Sequence, residues 1–196
     1  MGTVAPTTRD RLLAAARALI EEGGYGAASV AAIADRAGVA AGTQYRHFAS
    51  MEDLFVEVFR SVCEREERAM RAAAAEMEDA PAAERLEAVL TTFARRALRN
   101  PRLAWALIAE PVDPRVDAER LAYRERYAEL IAAGLAAGIG GGELPAQDVR
   151  LTAAALVGGC GEALVGPLSP LATGGPDADE IVEALRAFVG RAVGAR

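Results

Sequence analysis

The stretch SVAAIADRAGVAAGTQYRHF, residues 29–48, narrows what this chain can fold into more than any other. Val30, Ile33, Ala34 and Ala37 recur at spacings of three and four, which lays one apolar face along a short helix. Ala34 is small where a second helix has to come close, and Gly38 stands where the chain needs a positive φ to turn. Val39 re-enters the core, and Gly42 to Phe48 opens a second helix whose outer side carries Thr43, Gln44, Tyr45, Arg46 and His47. A bracing helix, a tight turn and a second helix offering polar side chains to a groove make up the helix-turn-helix arrangement. The other reading of the same residues is an ordinary helical hairpin with a solvated polar face.

Punctuation places the remaining elements. Residues 1–7 read as a flexible arm, and from Thr8 the residues Leu12, Ala16, Leu19 and Ile20 trace a helical face that ends at Gly23-Gly24. Tyr25 is expected to plug the small core between this helix and the next two, with Ser29 as the following N-cap. Ser50-Met51-Glu52-Asp53 reads as a capping box opening a long helix to about Glu78, with Leu54, Phe55, Val58, Phe59 and Val62 as its stripe. Pro81, Asn100-Pro101 and Asp113-Pro114 each open a further helix, the last running to about Ala137. GIGGGELP (138–145) reads as a loop, and a helix follows over about 146–166, stopped by Gly166-Pro167. Asp177 and Glu180 start the final helix. No strand pattern or internal repeat is found. The expected fold is all-α with about nine helices: an N-terminal three-helix unit over residues 1–50 and a larger helical domain over 51–196.

These residues resemble the TetR family of one-component transcriptional regulators. The matched pattern runs from about Thr8 to Phe59: a leading helix, then G-Y-G-A-A-S-V-A-A-I-A-D-R-A-G-V, G-T-x-Y-R-H-F and S-x-E-D-L-F. The chain departs from the family at Gln44, where an apolar residue is usual, and at Met51, where a phosphate-contacting Lys is common. Ala40 and Ala41 replace polar residues often seen at the start of the second helix. The resemblance implies a homodimer, most often a repressor, that binds a near-palindromic double-stranded operator and releases it when a small molecule enters the helical body. Its two reading heads would sit about 34 Å apart, matching successive major grooves on one face of the duplex.

Among the motif residues, Thr43, Tyr45 and His47 are assigned to phosphates, Gln44 to a base edge, and Arg46 to either. Ser29, at a helix N-terminus, can meet a phosphate, and Ala40, Ala41 and Gly42 complete the surface set against DNA. In the body, Phe93, Trp105, Tyr123, Tyr127, Cys160 and Glu162 are candidates for an amphipathic ligand cavity. The alternative for these aromatics is that they fill a core. The last two helices are more apolar than solvent-facing helices should be, which suits a two-fold four-helix interface. There Gly158, Gly159 and Gly161 either let backbones approach or leave room for a ligand.

Charge gives a weaker signal. The net charge is −6, but residues 1–50 hold five Arg and four acids, so the acidity lies outside the candidate reading unit. All 22 basic residues are Arg. An enzyme has little to work with. His47 is the only histidine, and no GxSxG, HExxH, Gly-rich phosphate loop or metal-ligand spacing occurs, so no metal or cofactor is expected. Cys63 and Cys160 read as reduced thiols of a cytoplasmic protein, and no leader follows Met1. The apolar run LTAAALVGGCG is read as too short and Gly-rich to cross a bilayer, which takes about 20 residues, so no membrane partner is expected. A rival to the regulator is a helical ligand- or protein-binding module with weakened DNA binding.

Overall fold

In the computed structural model, which describes residues 5–194, eight α-helices and two short 3-10 turns follow one another with no strand among the described residues. The helices are α1 (Thr8–Gly23), α2 (Val30–Ala37), α3 (Met51–Glu76), α4 (Ala82–Arg99), α5 (Pro101–Ile108), α6 (Pro114–Gly140), α7 (Val149–Leu168) and α8 (Ala178–Val193). The part of the expected arm over residues 1–4 lies outside the described residues. Thr7 is no free arm residue: it caps α1 in a reciprocal capping box with Asp10.

Most helix starts follow the caps read from sequence. The side chains of Ser29, Ser50, Asn100 and Asp148 accept backbone N–H groups of the first turns of α2, α3, α5 and α7, and Asp113 and Asp177 do the same for α6 and α8. Gly38, at φ 62°, closes α2 in the left-handed conformation. Three expectations change. The second helix of the motif is a four-residue 3-10 turn, Thr43–Arg46, because Gly42 enters at φ 81° and Phe48 must already be buried six residues later. The loop over 138–145 is shorter, since α6 continues to Gly140. And α7 runs through Pro167, which in a last turn forfeits a single helical hydrogen bond.

The reach of α7 also corrects the estimate of its apolar length. At 20 residues and a mean hydropathy of 1.4 it is long and apolar enough to cross a membrane by length and composition. Here it packs into the bundle, burying Ala153, Leu156, Cys160, Leu164 and Leu168. Its outer side leaves Leu151 at 69% exposure, and Phe188 of α8 is also exposed. The three glycines separate in role. Gly159 seats the Phe188 ring, which would stand 3.2 Å from an added Cβ, whereas at Gly158 and Gly161 no other element among the described residues comes within 4 Å of such an atom.

One contiguous core joins the N-terminal unit to the body. Leu12, Ala16 and Ile20 of α1, Ile33 of α2 and Phe48 meet Leu54, Val58 and Phe59 of α3. The Tyr25 ring sits edge-on to Phe55 at 5.1 Å, as expected of the plug. A polar seam reinforces the contact: Arg102 of α5 donates to the Gly23 carbonyl at 2.8 Å, and Asn100 bonds Glu21. On the far side Arg115 of α6 lies 3.0 Å from both Glu52 and Asp53 of α3.

Gly24 is the tightest point of that seam. It holds φ 77° and ψ −175°, a region open essentially to glycine, and an added Cβ would collide with the Arg102 guanidinium. Gly24→Ala is expected to cost about 1–3 kcal/mol. That is a fall in Tm of at least roughly 2–4 °C for a chain of this size, read by thermal melting.

Candidate nucleic-acid interface and ligand cavity

The turn between α2 and the 3-10 segment is held from behind. Arg11 of α1 donates through Nε to the Ala37 carbonyl at 3.0 Å and through Nη2 to the Gly38 carbonyl at 2.8 Å, satisfying acceptors at the end of α2. Around this clamp Ser29, Ala40, Ala41, Tyr45, Arg46 and His47 are exposed, and Gly42 and Thr43 are half-buried. Tyr45 is 54% exposed, a large aromatic with its hydroxyl free for solvent or a ligand. Eight of the nine residues expected at a DNA surface are thus exposed or half-buried.

Gln44 is the exception and a correction. Its side chain is 1% exposed, with Nε2 3.9 Å from the Met51 sulfur and Oε1 buried without a hydrogen-bond partner. The 3-10 geometry turns position 44 inward, so a base-edge contact is not open to it here. It occupies the core position where the family's usual residue is apolar, and Met51 is its neighbour rather than a phosphate contact.

The arginines of the unit are largely committed. Arg9 pairs with Glu57 and lies 5.0 Å over the Phe48 ring, Arg11 clamps the turn, and Arg36 pairs with Glu22 at 2.8 Å. Arg17 faces the body. Arg46 is the one arginine of residues 5–50 that is exposed without such a partner among the described residues. The count of charges in the sequence therefore overstates the cationic surface available to a duplex.

A cavity of about 290 Å³ opens between α3, α4, α5, α6 and α7, with Arg17 of α1 at its edge. Phe93, Tyr123, Tyr127 and Cys160 line it as expected. Trp105 and Glu162 do not: Trp105 is half-buried against the core outside the lining, and Glu162 is exposed on α7. The aromatics form a joined wall, with Phe59–Tyr123, Tyr123–Tyr127 and Phe93–Tyr127 centroids 5.9, 6.1 and 6.0 Å apart. Tyr127 donates its hydroxyl to the Cys63 carbonyl at 3.2 Å, and Tyr123 donates to the Arg60 carbonyl at 3.4 Å. These rings thus serve as both core and lining. Sequence reading missed Arg17, Arg65, Arg99 and Arg124, which also line the cavity. A helix-by-helix count of arginines on otherwise apolar arcs would have flagged Arg17, between Ala16 and Leu19.

Residues 12–58 match the family described as bacterial regulatory proteins, tetR family, and residues 79–164 match the tetracyclin repressor-like C-terminal domain. The chain belongs to the TetR family. The HTH-type transcriptional repressor KstR of Mycobacterium tuberculosis is 33% identical over 141 residues, 71% of this chain and 61% of that protein, so the chain spans less than two thirds of that relative's length. The fold matches the fatty acid degradation regulator FadR from Bacillus halodurans at a TM-score of 0.77 and 23% identity, covering 100% of this chain and 99% of that one. It also matches FadR from Bacillus subtilis, solved with stearoyl-CoA, at a TM-score of 0.74 and 22% identity over 95% and 98% of the two chains.

Both cysteines face the cavity, and burial is the main cause that pushes the thiols up, Cys63 to about 12 and Cys160 to about 11. Their folded values exceed that of a free thiol. Stability from this source is thus full below about pH 9 and is lost as pH rises toward 12, because the unfolded chain gives up the protons first. Iodoacetamide at pH 8 is expected to leave both thiols unmodified in the folded protein and to label both in denaturant, as read by mass spectrometry. Rapid labelling of the folded chain would contradict the burial.

Proposed function

We propose that this chain is a homodimeric transcriptional repressor, without enzymatic activity and acting in the cytoplasm, that leaves its operator when a small molecule occupies the body cavity. The observation that carries the DNA half of this reading is the exposed cluster Tyr45, Arg46 and His47 beyond a turn clamped by Arg11. Ser29, Ala40, Ala41, Gly42 and Thr43 frame that cluster. Phosphates would be met by Tyr45, His47 and Arg46, giving position and much of the affinity, as such contacts do. The division between reading unit and body falls at Ser50, the N-cap of α3.

Dimerisation is supported by the outer face of α7 and α8, where Leu151, Ala154, Ala155, Gly158, Ala184 and Phe188 are exposed together. A two-fold axis through this face would bury them against their own copies. The open space at Gly158 suits close backbone approach there, and that at Gly161, which lines the cavity, suits a ligand. Release works through differential affinity: a small molecule that fits the body better with the heads spread draws the dimer away from the spacing an operator requires.

A helical ligand-binding module with weakened DNA contact is the rival, favoured by the commitment of Arg9, Arg11 and Arg36 to internal partners. A titration against the DNA upstream of its own gene decides between them. The repressor should bind with a log–log salt slope of about −0.9 per neutralised phosphate. Tyr45→Ala and His47→Ala should each weaken binding at every sequence, by about tenfold if one charge-assisted hydrogen bond is lost. Unchanged affinity in both would favour the module. Light scattering should return twice the 20.5 kDa chain mass; a stable monomer would remove the two-fold reading.

A further inference from the structure

The cavity lining is largely apolar, but six arginines belong to it. Two are fully engaged: Arg96 bonds Glu66 at 2.9 Å, and Arg120 donates to the Leu107 carbonyl at 2.8 Å and the Glu110 carbonyl at 3.1 Å. Glu66, the single carboxylate of the lining, is thereby already taken. The other four, Arg17 of α1, Arg65 of α3, Arg99 of α4 and Arg124 of α6, make no ion pair or side-chain hydrogen bond among the described residues. Arg17 is the clearest, because its Nε is buried with no acceptor, a state that costs free energy until something accepts the bond. Arg65 is held below the usual guanidinium range by burial first and then by the neighbouring charges of Arg17 and Arg68. The Arg17 and Arg65 charges thus lie close enough to repel each other, and Glu66, which partly offsets them, is itself bonded to Arg96.

We propose that the effector is an amphiphile with an anionic head, a carboxylate or a phosphate, whose apolar part fills the cavity while its head is bound by Arg17, Arg65, Arg99 and Arg124. This rests on reading the cavity as the effector site. Guanidiniums suit such a head because their planar forks grip carboxylate and phosphate oxygens in pairs. The cavity volume of about 290 Å³ holds about ten heavy atoms at the roughly 30 Å³ each that a water molecule occupies, the size of a medium-length alkyl chain. Arg17 gives the head a mechanical role. It lies on α1, the helix that carries the turn clamp Arg11 and the α5 seam, so an anion bridging Arg17 to arginines of the body ties cavity occupancy directly to the reading unit.

Calorimetric titration of the full chain with decanoate, decyl phosphate and 1-decanol tests the head. At least one anion should bind about tenfold or more tighter than the alcohol, and which anion wins distinguishes carboxylate from phosphate. Arg17→Gln and Arg124→Gln should each weaken the preferred anion severalfold and leave 1-decanol unchanged, with thermal melts verifying the fold of each variant. Equal binding of alcohol and anions, no binding of any probe, or variants that bind the anion normally would overturn the subsite. Coupling is read as the ratio of duplex affinities without and with saturating anion, which Arg17→Gln should bring toward one; an unchanged ratio removes the role of α1. Failure to bind duplex would defeat the repressor reading alone, because the calorimetry stands without DNA.

Discussion

The interior of this molecule is held together by α3, which runs through both ends of its single contiguous core. Its first turns bury Leu54, Val58 and Phe59 against α1 and the motif, and its later turns carry Val62, Cys63 and Met70 into the body. At 26 residues it extends about 39 Å, enough to be a wall of both. Sharing one helix means that neither region can shift without dragging apolar contacts in the other. A stiff common wall turns a change in cavity shape into a tilt, where a jointed linker would absorb it. The seam of Arg102, Asn100 and Arg115 adds polar pins on either side of that wall.

How much of this was legible follows from which forces write themselves into sequence. Helix starts were readable because an N-cap needs a particular side chain at one position, as at Ser29, Ser50, Asn100 and Asp177. The shape of the motif's second element was not, because whether Thr43–Arg46 winds as 3-10 or α depends on where Phe48 must land, a tertiary demand. Gln44 shows the same limit. Its polarity pointed outward in the sequence, while its place in the turn pointed inward, and geometry prevailed at the expense of a buried amide oxygen. In the cavity Tyr123 and Tyr127 could be read together because a spacing of four marks a shared helix face, whereas the lining arginines were hidden among 22 of their kind. Glu162 and Trp105 failed as candidates because a helix has several sides and spacing alone does not say which one meets the void.

Charge placement follows a similar logic. Arginine in the N-terminal unit is spent on architecture: a clamp on a turn, a cap over an aromatic ring, a bridge between α1 and α2. Guanidinium suits such work, since it can satisfy several acceptors in one plane. What remains exposed beyond the turn is one arginine with a tyrosine and a histidine, a surface richer in hydrogen-bonding groups than in net charge.

The single tryptophan, Trp105, sits on α5, the short helix that faces α1 across the polar seam and flanks the cavity through Leu103 and Leu107. Its indole is half-buried in the shared core. The chain therefore carries an intrinsic fluorophore at the junction between its two halves. Emission wavelength and quenching at this one indole offer a label-free optical signal of how tightly the halves are joined, available in real time and without chemical modification.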